Sequence, residues 1–258
     1  MVVDIEQHTA VRFQTLGALQ IWHGTRECAP STPKVLQVLG LLLVQANRPV
    51  PTGTLIDELW GDNPPRSAVT TIQTYVYQLR KLIEREGLAE SGEDMLVTRP
   101  PGYLLRVRPG QSDLERFREL RERGRESLAA GRHHDAALDL RSALALWTGP
   151  PFGNVKPGRQ LAAEVIDLEE RHRTTLQLAI EAEMGLGMHR ELVGELRSLT
   201  LLHPLDEWLH QQLMVALDRC GRRSEGVRLY WALRDALGDE LGISPSPQTE
   251  RIYRALLG

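Results

Sequence analysis

From residue 11 the apolar positions alternate: Val11, Phe13 and Thr15 stand on one side of the pattern, Arg12 and Gln14 on the other, and Leu19 and Ile21 follow Gly17. Successive side chains of a strand point to opposite faces, so this predicts a small antiparallel sheet with one face buried. His23-Gly24-Thr25 supplies a turn before Arg26 to Ala29. The period then lengthens. Residues 34–46 form an apolar helical run stopped at Asn47, and Thr52 is placed to cap a short helix through Leu55, Ile56, Leu59 and Trp60, closed by Gly61. Pro64-Pro65 makes a rigid connection, and Ser67 is placed to cap a long helix to about Glu86. Met95 to Thr98 and Tyr103 to Val107 flank Arg99-Pro100-Pro101-Gly102, a hairpin turn between two strands.

Beyond Pro109-Gly110 nearly every stretch is helix-periodic and rich in Ala, Leu, Arg and Glu. Gly131, Gly187 and Gly221 each open a similar octet, and the second and third lie 34 residues apart, the period of a tetratricopeptide helical hairpin. The first and second are 56 apart, which places an insertion of about 22 residues, assigned to the Gly/Pro-rich stretch Thr148 to Gly158. Pro150, Pro204 and Pro245 fall where helices should stop, and a last helix is expected near residues 247–257. The fold expected is an α+β winged helix-turn-helix with an N-terminal sheet over residues 1–110. An all-α, tetratricopeptide-like module of about three repeats follows over 111–258, and the whole is mainly α.

Composition narrows the possible functions. The 258 residues are 41% hydrophobic and 25% charged, a globular balance, and no apolar stretch approaches the roughly 20 residues of a membrane helix. Met1-Val2-Val3-Asp4 does not begin a charged-then-apolar signal segment, and two isolated cysteines, Cys28 and Cys220, fit a reducing cytoplasm. Of 31 basic residues 28 are arginine, a bias that points to a G+C-rich genome and says nothing of mechanism. The net charge of −3 argues mildly against a nucleic-acid binder. It is unevenly spread: residues 1–110 carry 11 basic and 11 acidic groups, and the acid excess belongs to the remainder.

The helix expected over 67–86 carries the sharpest chemical signal. At 100° per residue Val76, Leu79 and Ile83 fall within about 40° of Ile72, a buried stripe. The opposite face presents Thr70, Thr74, Tyr77, Gln78 and Lys81, flanked by Gln73, Arg80 and Arg85, and from Arg66 to Lys81 there are three bases and no acid. Glutamine and arginine can bond base edges in pairs, while Thr, Tyr and Lys reach phosphates, so the face suits a major groove. An ordinary solvated amphipathic face is the competing reading. Arg99, on a hairpin stiffened by two prolines, is placed to enter a narrow minor groove, whose negative potential favours arginine.

Leu55-Ile-Asp-Glu-Leu-Trp-Gly-Asp-Asn-Pro-Pro-Arg-Ser-Ala68, Thr71-Ile-Gln-Thr-Tyr-Val-Tyr-Gln-Leu-Arg-Lys81 and Thr98-Arg-Pro-Pro-Gly-Tyr103 resemble the OmpR-type DNA-binding domain of the Streptomyces antibiotic regulatory protein (SARP) family. Ala143-Leu-Ala-Leu-Trp-Thr-Gly149, His203-Pro-Leu-Asp-Glu207, Gln212-Leu-Met-Val-Ala-Leu217 and Glu240-Leu-Gly-Ile-Ser-Pro-Ser-Pro247 are similar to its bacterial transcriptional activation domain, so the resemblance covers residues 11–257. It implies an activator, not an enzyme, that binds direct repeats near the −35 element of promoter DNA and recruits RNA polymerase to a biosynthetic gene cluster. Thr74, Tyr77, Gln78 and Arg80 are then expected in the major groove, Ser67, Thr71, Lys81 and Arg66 on phosphates, and Arg99 of the wing in the minor groove. The loop with Trp60, Asp62, Asn63 and Arg66 is expected to face polymerase, through sigma region 4, the beta flap or the alpha C-terminal domain. Dimeric or tandem protomers on DNA, a cytoplasmic place on the nucleoid, and no cofactor, metal, catalytic residue or membrane partner complete the expectation. Gln78 stands where the OmpR class commonly has arginine, and Gly226 where the helical module usually has alanine, which should slightly loosen that hairpin.

The remaining features are read plainly. His133-His134 point about 100° apart on a helix and do not share an ion. Trp147, Trp208 and Trp231 are expected between helices, and the charged run Glu115 to Glu126 as an exposed helix face with intrahelical pairs. Two other functions remain open: a helical-repeat module that binds protein with the winged fold as a docking surface, and a helical groove whose metabolite gates DNA binding.

Overall fold

The computed structural model describes residues 11–258; the opening segment from Met1 lies outside the described residues. The chain divides into two compact units, one running to Arg125 and including Asp139–Leu176, the other formed by Glu126–Leu138 and Gln177–Gly258. No helix among the described residues is long and apolar enough to cross a membrane.

The first unit opens with β1 (Val11–Gln14), β2 (Gln20–His23) and β3 (Arg26–Glu27), an antiparallel sheet in which Phe13 faces Ile21. Phe13 and Ile21 are buried while Arg12 is exposed, as the alternation predicts. Helix α1 (Pro33–Val44) is buried at every position from Val35 to Val44, so it is the central post of this unit rather than an amphipathic surface helix. The helix ends at Val44 with Gln45 as its cap, and in the turn beyond it Asn47, at φ 64°, ties the chain to the segment after β6: its amide donates to Val107 O (2.8 Å) and accepts from Val107 N (3.0 Å).

A two-residue strand β4 (Val50–Pro51), unforeseen in the sequence, leads into α2 (Thr52–Trp60) and α3 (Ala68–Arg85). Thr52 does not cap α2. It is the first helical residue, and its N–H and hydroxyl both donate to Pro101 O, at 3.2 and 3.1 Å. Ser67 does hold the cap position of α3, but its side chain makes no cap bond. A four-residue helix α4 (Gly92–Met95) precedes β5 (Leu96–Arg99) and β6 (Gly102–Leu105), and the second sheet runs β4-β6-β5.

Helices α5 (Asp113–Ala129), α6 (His133–Leu144) and α7 (Arg159–Gly185) follow. The start of α5 and the stretch from Asp139 through Leu176 of α7 belong to the first unit. Asp113 accepts from Thr15 N (2.7 Å), Leu16 N (2.8 Å) and Thr15 Oγ1 (2.8 Å), locking the β1–β2 turn to the head of α5. Burial nevertheless raises its pKa, outweighing those bonds. The Thr148–Gly158 stretch is not a surface insertion. Thr148, Phe152 and Gly153 donate backbone bonds to Leu16, Thr15 and Gly17, Asn154 brackets Leu19, and Phe152 is 1% exposed. In the charged run of α5, Arg116–Glu119 and Arg125–Glu122 pair within the helix, while Arg123 reaches across to Asp139.

One buried carboxylate fixes α2 in place. Glu58, 2% exposed, accepts from Gly158 N (2.6 Å), Gln160 N (2.9 Å) and Leu161 N (3.1 Å), N–H groups that the first turn of α7 leaves without helical partners. Gln37 of α1 donates to the Glu58 carbonyl at 2.8 Å. A carboxylate at a helix N-terminus gains both charge-assisted bonds and the helix dipole.

The second unit continues with α8 (His189–Leu202), α9 (Glu207–Arg219), α10 (Arg223–Leu241) and α11 (Pro247–Leu257), each packed on its neighbours around Leu196, Leu213, Met214 and Leu233. The repeat glycines Gly131, Gly187 and Gly221 all take positive φ (73°, 79° and 74°), and each closes a helix just before the next begins. At Gly226 a Cβ would stand 3.0 Å from Leu256 Cδ1, so Leu256 of α11 packs close against the bare backbone there. Tyr230 stacks on Tyr253 at 3.9 Å, and Glu225 is held by Arg197 of α8 and Arg222. These two arginines, Arg222 first, hold the Glu225 carboxyl down to about 2.

Candidate nucleic-acid interface

Helix α3 buries Ala68, Ile72, Val76, Leu79, Leu82 and Ile83 and turns Thr70, Gln73, Thr74, Tyr77, Gln78 and Lys81 outward. Tyr77 is 60% exposed, an aromatic ring held in solvent on an otherwise polar face. Thr71 and Thr74 bond back to the carbonyls of Ser67 and Thr70 (both 3.0 Å), which orients each hydroxyl and leaves its oxygen free to accept. Among the described residues the amides of Gln73 and Gln78 have no hydrogen-bond partner. Lys81 Nζ lies 2.8 Å from Glu84 and 5.8 Å from the Tyr77 ring centre. The Glu84 bond raises the lysine pKa, while Glu84, bonded also by Gly92 N, is lowered.

Arg80 is placed differently from its neighbours. Its guanidinium donates to Leu96 O (2.9 Å), Glu93 Oε1 (3.1 Å) and Thr98 Oγ1 (2.9 Å), and its side chain is only 18% exposed. Expected beside Gln78 in the groove, it instead joins α3 to β5. No spacing in the sequence marks that role, because its three partners lie 13, 16 and 18 residues away, on α4 and β5.

Arg99 ends β5 opposite Gly102, is exposed, and forms no ion pair among the described residues. Gly102 is required there: a Cβ would lie 1.8 Å from Val50 O, where β6 pairs with β4. At the far end of α3, Glu86 O accepts from His23 Nδ1 (2.8 Å) and from Arg26 (3.3 Å), and Arg26 also pairs with the Glu86 carboxylate at 3.0 Å. The first sheet therefore grips the C-terminus of α3, and the second sheet grips its middle.

The loop from Trp60 to Arg66 is exposed except at its start. Trp60 packs partly into the core, Gly61 turns at φ 57°, and Asn63 N donates to Trp60 O at 3.3 Å. Asp62 lies 3.5 Å from Arg159, both well exposed, a geometry that holds little energy. Arg66 and Ser67 are exposed, Thr71 is half-buried, and Arg66 forms no ion pair among the described residues. The structure thus gathers the major-groove, phosphate and wing candidates on α3, the Arg66–Ser67 segment that leads into it and the adjoining β5–β6 hairpin, Arg80 alone being spent on joining helix and hairpin.

Comparison with known proteins matches residues 26–105 to the family described as "Transcriptional regulatory protein, C terminal" and residues 112–257 to the bacterial transcriptional activator domain. The regulatory protein DnrI of Streptomyces peucetius is 38% identical over 250 residues, 96% of this chain and 92% of that protein. The regulatory protein AfsR of Streptomyces griseus is 34% identical over 96% of this chain, which spans only 24% of AfsR. Among solved structures, Mycobacterium tuberculosis EmbR in complex with a low-affinity phosphopeptide superposes with a TM-score of 0.87 at 32% identity, covering 96% of this chain and 65% of that one.

Proposed function

Because the chain belongs to the Streptomyces antibiotic regulatory protein family, whose members are transcriptional regulators rather than enzymes, we propose that it activates a biosynthetic gene cluster from direct repeats near a −35 element. In this reading Thr74, Tyr77 and Gln78 meet base edges in the major groove, Arg66, Ser67, Thr71 and Lys81 anchor on flanking phosphates, and Arg99 enters the adjacent minor groove. Arg80 sets the angle between α3 and the wing rather than reading a base. The Trp60–Arg66 loop, exposed at the head of α3, faces RNA polymerase, and the helical repeats hold a neighbouring protomer or polymerase.

The observation that carries the reading is the division of α3. Four apolar residues at helical spacing are buried, while the polar face and the unpaired Arg99 remain open on one helix–hairpin pair. A face with so few free bases neutralises few phosphates, so one protomer binds modestly and tandem copies supply the affinity.

Charge reversal tests it. In fluorescence anisotropy with its own promoter fragment, Arg99→Glu should weaken binding by at least about tenfold while leaving the far-UV spectrum unchanged. Undiminished promoter binding by that variant refutes the wing contact.

A further inference from the structure

A cavity of about 610 Å³ opens in the first unit between the N-terminal sheet and the head of α5. That volume lies within the range of small-molecule sites, roughly 300–1,000 Å³. Its lining includes Trp22 from the outer face of the sheet, Ala145 and Leu146 from the segment after α6, and the exposed Arg12 and Arg116. The site is separate from the DNA face of α3, and none of its residues belongs to the reading above.

The charges around it are one-sided. Arg12 spends one N–H on Gly24 O at 3.1 Å, and Arg116 stands 3.6 Å from Glu119 with both side chains about half exposed, so each guanidinium keeps donors for a ligand. Asp113, the acid in the lining, has turned its carboxylate onto Thr15 and Leu16 and offers no free oxygen pair to the cavity. Gln111 and Ser112 stand just ahead of α5, whose N-terminal dipole adds positive potential on the same side. One indole face, Trp22, with two exposed guanidiniums beside it selects a flat, apolar body bearing one anionic group.

One wall also leads to the DNA face. Trp22 pairs with Glu27 across β2–β3, and the adjoining His23 and Arg26 hold Glu86 at the end of α3. We propose that the cavity binds a small planar aromatic anion, and that its occupancy changes the affinity of α3 for DNA through Trp22, His23 and Arg26. The second limb rests on the DNA-binding reading above; the first does not.

The test uses 8-anilinonaphthalene-1-sulfonate and N-phenyl-1-naphthylamine, the same ring system without the sulfonate. The sulfonate should give a saturable, one-site fluorescence rise at micromolar concentration in the full chain. Arg12→Glu with Arg116→Glu should weaken it by about tenfold or more while leaving the uncharged amine within about twofold. Ala145→Trp, which fills the cavity, should abolish both. Absence of saturable binding up to about 1 mM, or binding that neither variant alters, overturns the site. Saturating sulfonate should shift the promoter dissociation constant by about threefold or more in the parent and not in Ala145→Trp. An unshifted constant overturns the coupling. A ligand-free protein that binds no promoter overturns the DNA reading instead, and the fluorescence titration stands apart from that result.

Discussion

Replacing Glu58 by alanine removes a carboxylate that is 2% exposed and accepts three backbone N–H groups at the head of α7. Bonds to a charged partner contribute roughly 1.5–3 kcal/mol each when the orphaned group stays dry. Here Gln160 is exposed and Gly158 half-buried, so water can replace two of the three, and Leu161 N is left truly unsatisfied. Gln37 keeps its 2.8 Å bond to the Glu58 carbonyl, which the substitution does not touch. Together with the void left by the side chain, the loss should come to about 3 kcal/mol. Glu58→Gln keeps one acceptor oxygen and should lose about 1–2 kcal/mol. In urea unfolding at pH 7, followed by tryptophan fluorescence and far-UV circular dichroism, the alanine variant should lower the midpoint by about 1 M or more. A midpoint within about 0.2 M of the parent, or a glutamine variant worse than alanine, refutes the account of Glu58 as the lock between α2 and α7.

Arg80→Ala should weaken promoter binding even though its guanidinium is turned to the wing, and its effect should overlap that of Arg99→Ala. A double-mutant cycle by anisotropy should give a coupling of about 0.5–2 kcal/mol, and strictly additive losses would separate Arg80 from the wing. Gln78→Ala should cost about 1–3 kcal/mol on the preferred site and relax preference at one base pair, checked by selection from a randomised operator; a uniform loss over all sequences would assign Gln78 to the backbone. Glu225 should titrate near 2 by carbon-detected NMR and move back toward about 4.5 in Arg197→Gln with Arg222→Gln. Because its folded pKa is depressed, its contribution is present above about 4.5 and is lost as pH falls toward 2, so the two-arginine variant should flatten acid unfolding in that window.

Where a face is set by periodicity alone, the residues themselves display it. Ile72, Val76, Leu79 and Ile83 lie on one side of α3 by arithmetic, and the structure buries them. The repeat glycines are equally visible, since a positive φ between two helices leaves little choice of residue. Elements of two to four residues, β4 and α4, carry no period long enough to see. Contacts made across long stretches of chain are hidden for a different reason. Glu58 looks like one more acid on a short amphipathic helix until Gly158 arrives from 100 residues away, and Phe152 looks like part of a turn-rich insertion until it seats against Thr15. Arg80 belongs to the same class: the wheel sets it on the flank of the polar face, the family resemblance puts it in the groove, and the partners that draw it to the wing come from α4 and β5.

A genome-wide footprint of the purified chain, with and without RNA polymerase holoenzyme, tests the central claim most directly. The account predicts protected direct repeats spaced by about one helical turn, lost steeply between about 50 and 200 mM salt and extended toward the start site by polymerase. Protection without sequence preference, or none at any salt, would contradict it.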